Sequence, residues 1–417
     1  MIGSSKRPRR AHAIRWTCRW LVLAGAVALA WPWRSDSTTS VILPATSPFI
    51  AMAGAISTRT TGVLLLLSLP VFLLALRFPR SFCRYGCPVG LLQDCGQRLR
   101  PKARKQGSGW PAVGRWLLLL TLGGALLGWP LFLWLDPLAL FNGFLNAWRQ
   151  PLSLATLLTG LGLPLVLLFD LLLPALWCRR LCPLGATQDL LAWPRRALRR
   201  RQVRAHPAPT PWPIGNRGRR RFLEGLLLAG GAVAARAVQA KRPPLLRPPG
   251  SLDEGRFAGV CVRCGNCAQV CPSDIIQPDL GASGFAGFLS PRLRFDADYC
   301  REDCHRCGEV CPSGAITRLS ADGKRHWVIG RAVVDYDRCL LVQGRECTAC
   351  IQRCPYQAIA MRSVDGGFSN EPAVIADRCN GCGACEAVCP TAPTRAITIR
   401  PQSWESLSRT GVADREG

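Results

Sequence analysis

The sequence holds only 4 histidines in 417 residues, His12, His206, His305 and His326, and none lies in an apolar stretch. A membrane haem held between two histidines is therefore excluded, and the lack of a Cys-x-x-Cys-His run excludes covalently attached haem. No glycine-rich Rossmann turn opens a helix after a strand, which argues against a bound dinucleotide. Acidic residues are also few, 26 against 53 basic ones, and the deficit is local. Residues 1–249 hold 34 Lys and Arg against 6 Asp and Glu, whereas 250–417 hold 19 against 20. The basic half also carries the long apolar runs, as in membrane proteins whose Lys and Arg resist translocation. A nucleic-acid binder would more often carry a basic patch on a soluble domain, so nucleic acid is not expected as a partner.

Four apolar segments approach the roughly 20 residues that cross a bilayer: Trp16 to Trp33, Ile50 to Leu76, Trp116 to Leu135 and Thr156 to Trp177. Basic residues crowd the N-terminus and the stretches Arg77–Arg115 and Arg179–Arg221, while 34–49 and 136–155 hold only Arg34 and Arg149. The positive-inside rule then places both ends of a four-helix unit in the cytoplasm. Asp136 and Asp170, near helix ends, read as boundary residues rather than proton relays.

After this unit, Gly218-Arg219-Arg220-Arg221-Phe222-Leu223-Glu224 precedes a modestly apolar run to Ala235 and a small-residue stretch ending at Ala240. It looks like a twin-arginine export signal in mid-chain; the alternative is a fifth membrane helix. Either sends the following residues outside. A proline-rich spacer runs to Gly250. The expected organisation is a helical membrane domain over 1–200, the signal or anchor and linker over 201–249, a ferredoxin domain over 250–402 and a flexible tail over 403–417.

Sixteen of the 22 cysteines fall in four groups of four. Cys261, Cys264, Cys267 and Cys271 form the first, and Cys379, Cys382, Cys385 and Cys389 the fourth; both have the bacterial ferredoxin spacing followed by proline. The second, Cys300, Cys304, Cys307 and Cys311, has one extra residue in its first gap. The third, Cys339, Cys347, Cys350 and Cys354, has a seven-residue gap there. A tight loop can wrap three thiolates around a cubane while the fourth cysteine, starting a helix, points at another cluster. Zinc sites usually pair two separated knuckles, and disulfide frameworks do not repeat one spacing four times, so four 4Fe–4S clusters are expected. An apolar pair follows each run (Ile275-Ile276, Ala315-Ile316, Ala358-Ile359, Ala396-Ile397) and should seed a strand. Pairing first with fourth and second with third would match regular with regular and expanded with expanded runs; adjacent pairing is the alternative.

The basic half has its own repeat. Cys83-Arg-Tyr-Gly-Cys87-Pro88-Val-Gly90-Leu-Leu-Gln93-Asp94 matches Cys178-Arg-Arg-Leu-Cys182-Pro183-Leu-Gly185-Ala-Thr-Gln188-Asp189 at seven of twelve positions, as a duplicated helix pair would. Cys83, Cys87, Cys178 and Cys182 could hold a fifth cluster, act as redox thiols, or pack at helix ends. Cys18 and Cys95 have no such partners.

These features resemble a known pair of families. Residues 1–200 resemble the NapH-type membrane quinol dehydrogenase subunit through the two Cys-x-x-x-Cys-Pro motifs. Residues 215–400 resemble the NapG/MauM-type periplasmic ferredoxin through the arginine signal, the four runs and the expanded third run. The chain departs from the NapH pattern in lacking its usual cytoplasmic two-cluster tail. The fold implied is an α-helical membrane bundle followed by an α+β ferredoxin-like domain with tandem βαβ-type cluster-binding folds. The resemblance implies an inner-membrane protein, N-terminus inside, passing electrons from membrane quinol to a periplasmic redox partner such as a nitrate reductase. A maturation factor, a tethered polyferredoxin fed by another protein, or a redox sensor are the alternatives.

Overall fold

The computed structural model describes residues 7–31, 38–60, 62, 65–98, 112–148, 153–173, 176–195, 215–239, 244–282, 284, 287–364 and 369–401. The expected tail over 403–417, Ala240 at the end of the small-residue stretch and the basic residues 101–111 and 196–214 lie outside the described residues. The chain forms two compact units. One comprises 1–241 with 255–266 and 312–315; the other comprises 242–254, 267–311 and 316–417.

The first unit is helical. Its first helix, Arg7–Ala30, contains the stretch Ala13–Ala30, long and apolar enough to cross a membrane. Among the described residues, counting each of two bent helix pairs as one span raises the number of such elements to three. The single span expected over Ile50–Leu76 is instead two helices, Pro48–Thr58 and Leu65–Arg77. The break has a local cause. Ser57 and Thr58 donate back to the carbonyls of Ala53 and Gly54, and Arg59 then turns left-handed with φ 56°, which ends the first helix. The segment expected over Trp116–Leu135 is likewise interrupted, its end forming only a 3-10 turn over Leu133–Leu135. A helix over Val113–Leu126 stops before Gly128, at φ 81°, and a new helix runs over Pro137–Ala147. The segment expected over Thr156–Trp177 bends by 45° between Leu154–Gly160 and Gly162–Leu172.

Two of these short helices open in the same way. Ser47-Pro48 and Asp136-Pro137 each supply an N-cap followed by proline in the first turn, the preferred opening of a helix. Asp136 accepts from the amides of Leu138 and Ala139, so it is a boundary residue as expected. The two caps also meet, with Ser47 Oγ donating to Asp136 Oδ2 at 2.5 Å.

The helix Gly215–Gln239 contains the arginine motif, although the side chains of Arg219–Phe222 lie outside the described residues. It packs on Val113–Leu126 at two glycines. A Cβ on Gly123 would stand 2.1 Å from the Leu228 carbonyl, and one on Gly231 would stand 2.3 Å from the Leu120 carbonyl. Small residues allow this backbone approach. Arg115 and Glu224 close the same pair at 2.5 Å.

The second unit is built from loops, short helices and three two-stranded antiparallel sheets. β1 (Ile276–Pro278) pairs with β2 (Pro291–Leu293), β3 (Arg331–Val334) with β6 (Ile397–Arg400), and β4 (Ile359–Val364) with β5 (Ser369–Val374). The apolar pairs after the cysteine runs lead into β1, β4 and β6, and Ile316 makes a bridge to Ser251. All eight of those apolar residues are buried.

Candidate iron–sulfur centres

Three groups of four cysteines converge in the second unit. Cys300, Cys304 and Cys307 line one cavity with Cys271, capped by Ile275, Ile276 and Leu293. Cys339, Cys347 and Cys350 line another with Cys389. Cys379, Cys382 and Cys385 line a third with Cys354. Each takes three cysteines from one run and one from its neighbour, the two-cluster ferredoxin rule. The partners are successive runs, first with second and third with fourth, so matching regular with regular runs gave the wrong pairing. Hairpins decide it: β1–β2 folds the chain back between the first two runs and β4–β5 between the last two.

Local geometry favours thiolate ligands. Gly381 and Gly383 take φ of 75° and 89°, and a Cβ would stand 2.4 Å from the Gly330 carbonyl or 2.2 Å from the Phe295 ring. Only glycine fits both the conformation and the space. Backbone amides reach the sulfurs after each proline turn: Ile316 N–H to Cys311 and Ala358 N–H to Cys354, both at 3.3 Å. Burial pushes the Cys300 and Cys350 thiols up to about 11 and the Cys382 thiol up to about 12. Such thiols ionise readily only where a metal supplies the opposite charge. The groups also abut, since the Cys300 amide donates to the Cys382 carbonyl at 2.8 Å.

The helical unit brings its own four cysteines together. Cys83, Cys87, Cys178 and Cys182 lie within electrostatic reach of one another, and Cys87 and Cys182 are buried. The motif residues around them interlock. Gln188 donates to Cys83 Sγ at 3.1 Å, and Cys178 Sγ donates to Gln93 Oε1 at 2.6 Å. Arg80 pairs with Asp189 at 2.6 Å, and Arg19 with Asp94 at 2.5 Å. The amides of Gly90 and Gly185 point at Cys87 and Cys182. Gln93 Nε2 is buried without a partner. Each glutamine amide thus faces a sulfur of the other copy, Gln188 as donor and Gln93 as acceptor. No three ligating side chains among the described residues converge closely enough to hold a single ion. Cys18 is exposed and Cys95 half-buried.

The first ferredoxin run reaches into this unit. Asn146 Nδ2 donates to the Cys264 carbonyl at 2.8 Å and to Asn266 Oδ1 at 2.9 Å, and Asn142 Nδ2 also donates to Asn266. Arg263 lies 5.2 Å from the centroid of the Trp134 ring. The equivalent helix does the same with another piece of chain: a Cβ on Gly54 would stand 2.9 Å from the Ser313 carbonyl, while one on Gly143 would stand 3.4 Å from that of Arg263. The Pro137–Ala147 helix, about 16 Å long, thus runs from Asp136, within electrostatic reach of Cys83 and Cys87, to Asn146 beneath Cys264. Sequence reading missed these contacts. Asn142 and Asn146, four apart in an apolar helix, were the available signal.

Comparison with known proteins agrees with this arrangement. The ferredoxin-type protein NapG of Escherichia coli (strain K12) is 40% identical over 206 residues, which cover 87% of that protein and 45% of this chain. The chain belongs to the NapG/MauM family of ferredoxin-type proteins. MauM, the methylamine utilization ferredoxin-type protein of Methylobacillus flagellatus, is 31% identical over 75% of its length and 41% of this chain. NapF of Escherichia coli (strain K12), also a ferredoxin-type protein, is 34% identical over 84% of its length and 36% of this chain. The 4Fe-4S dicluster domain family matches this ferredoxin-type chain at 260–315 and 343–393, the same two pairs of runs that the cavities join. A second family, described as a 4Fe-4S binding domain, matches 60–106, 155–201 and 307–330. Its first two matches cover both copies of the helical motif. No solved structure matches the chain. Like its relatives, the protein is an iron–sulfur electron-transfer protein, and its N-terminal apolar helix is compatible with a membrane anchor.

Proposed function

We propose that this chain joins a NapH-type membrane quinol dehydrogenase subunit to a NapG/MauM-type ferredoxin, and passes electrons from membrane quinol to a periplasmic reductase of the nitrate-reductase kind. The ferredoxin clusters fall to Cys271 with Cys300, Cys304 and Cys307; to Cys389 with Cys339, Cys347 and Cys350; and to Cys354 with Cys379, Cys382 and Cys385. By the same rule, Cys311 goes with Cys261, Cys264 and Cys267. Cys83, Cys87, Cys178 and Cys182 hold a fifth. When bound, the clusters supply one-electron carriers.

The observation that carries this reading is the placement of two cysteine sets in one compact unit. The interlocked motif cysteines and the Cys261–Cys264 loop are joined by the Pro137–Ala147 helix. Asn142 and Asn146 hold the receiving loop, and Gln93 and Gln188 face the sulfurs of the delivering site. Quinol oxidation releases two electrons and two protons, and the electrons leave singly through the chain.

The test is addition of a reduced quinol to the purified full-length protein, followed by low-temperature EPR. Growth of reduced iron–sulfur signals supports the reading. No response would make the protein a tethered ferredoxin fed by another membrane protein.

A further inference from the structure

Lys324 is a lysine with 1% of its surface exposed. It belongs to a short helix, Ala321–His326, capped by Ser320, whose Oγ accepts from the Gly323 amide at 3.0 Å. Ala321, Asp322, Arg325 and His326 are exposed, so this polar helix turns its lysine alone inward. Nζ donates to the Arg301 carbonyl at 2.7 Å and lies within electrostatic reach of Cys300. Among the described residues no carboxylate forms an ion pair with it. An ammonium removed from water costs several kcal/mol unless an opposite charge accompanies it. Thiolates holding a cluster at Cys271, Cys300, Cys304 and Cys307 would supply an opposite charge beside it.

We infer that Lys324 is a tuning residue that holds the potential of this centre above the value its four thiolates alone would give. The inference rests on the cluster assignment above but not on quinol as the donor. Reduction adds one electron and one negative charge to a thiolate-held centre, and no proton need move. A fixed ammonium beside a ligating sulfur therefore stabilises the reduced state more than the oxidised one, and charge and hydrogen bonds at the sulfurs are known levers on cluster potential. The position is also the junction between the two dicluster pairs, because Cys300 donates to the Cys382 carbonyl. Raising the potential there makes this centre the favoured resting place for an electron crossing from one pair to the other.

The test is an EPR-monitored redox titration of the full-length chain with chemical mediators, the signal being assigned through its loss in Cys304→Ser. Lys324→Met removes the charge and keeps the bulk; Lys324→Gln keeps a donor for the Arg301 carbonyl without the charge; Lys324→Arg keeps the charge. The expected result is a shift of that one signal to lower potential in the Met and Gln variants. Its position should be kept in the Arg variant, with the other signals unmoved and iron content unchanged. An unmoved potential in both uncharged variants would overturn the inference. So would loss of about four irons in both, which would make the lysine a structural prop. Because mediators set the potential, the result stands whether or not quinol reduces the protein, and a separate quinol addition reports on that reading.

Discussion

Gln188, on the second copy of the helical motif, donates to the sulfur of Cys83 on the first copy at 3.1 Å. The reciprocal contact joins Cys178 to Gln93. A duplication whose copies merely packed side by side would not cross in this way. The crossing turns two Cys-x-x-x-Cys-Pro motifs into one site with four sulfurs, two amides and the Arg80–Asp189 pair around it.

If that site holds a cluster, replacing Gln93 and Gln188 together with leucine removes the donor to Cys83 and the amide partner of Cys178. The expected outcome is a fall from about 20 irons per chain toward about 16, with the ferredoxin signals unchanged. Retention of about 20 irons would show that the amides do not support a cluster.

The pairing of successive runs makes an assignment that spacing alone does not. Cys389→Ser and Cys347→Ser should perturb the same EPR signal, while Cys354→Ser should perturb the signal affected by Cys382→Ser. If Cys389→Ser instead altered the signal affected by Cys264→Ser, the first and fourth runs would be partners after all.

The local parts of this protein were legible in its sequence and the non-local parts were not. Each four-cysteine run with its proline, and the strands at Ile276, Ile359 and Ile397, follow from residues within a few positions of one another. Which runs share a cavity depends on the hairpins β1–β2 and β4–β5, and like spacing between the first and fourth runs says nothing about them. The long apolar count over Ile50–Leu76 hid the break at Ser57–Arg59, because hydropathy averages over a polar turn that hydrogen bonding makes decisive. The pairing of Ser47-Pro48 with Asp136-Pro137 was visible only once both helices were seen to start there. Lys324 gave no signal, since Ala321–His326 reads as a solvated surface stretch.

Asn146→Leu should loosen the first ferredoxin run selectively. The change removes the side-chain donor to the Cys264 carbonyl and one of the two donors to Asn266 Oδ1, at a cost of about 1–3 kcal/mol. Hydrogen exchange over 261–266 should quicken, and a chelator should remove iron from this centre first. Unchanged exchange there would mean that Asn146 does not hold the loop.

Gly231→Leu tests whether the helix Gly215–Gln239 is integral to the helical unit. A side chain facing the Leu120 carbonyl must push the two helices apart, and overpacking of this kind costs about 1–3 kcal/mol. Thermal unfolding of the detergent-solubilised helical unit should begin several degrees lower, with the ferredoxin clusters intact. No change in unfolding would show that this helix contributes nothing to the unit.

The most direct test of the central claim compares wild type with Cys83→Ser/Cys178→Ser in liposomes, following the ferredoxin signals by freeze-quench EPR after adding quinol and, separately, dithionite. Quinol should reduce the wild-type ferredoxin clusters but not those of the double variant, while dithionite reduces both. Equal reduction by quinol in the two proteins would contradict the claim that electrons enter the ferredoxin through the four motif cysteines.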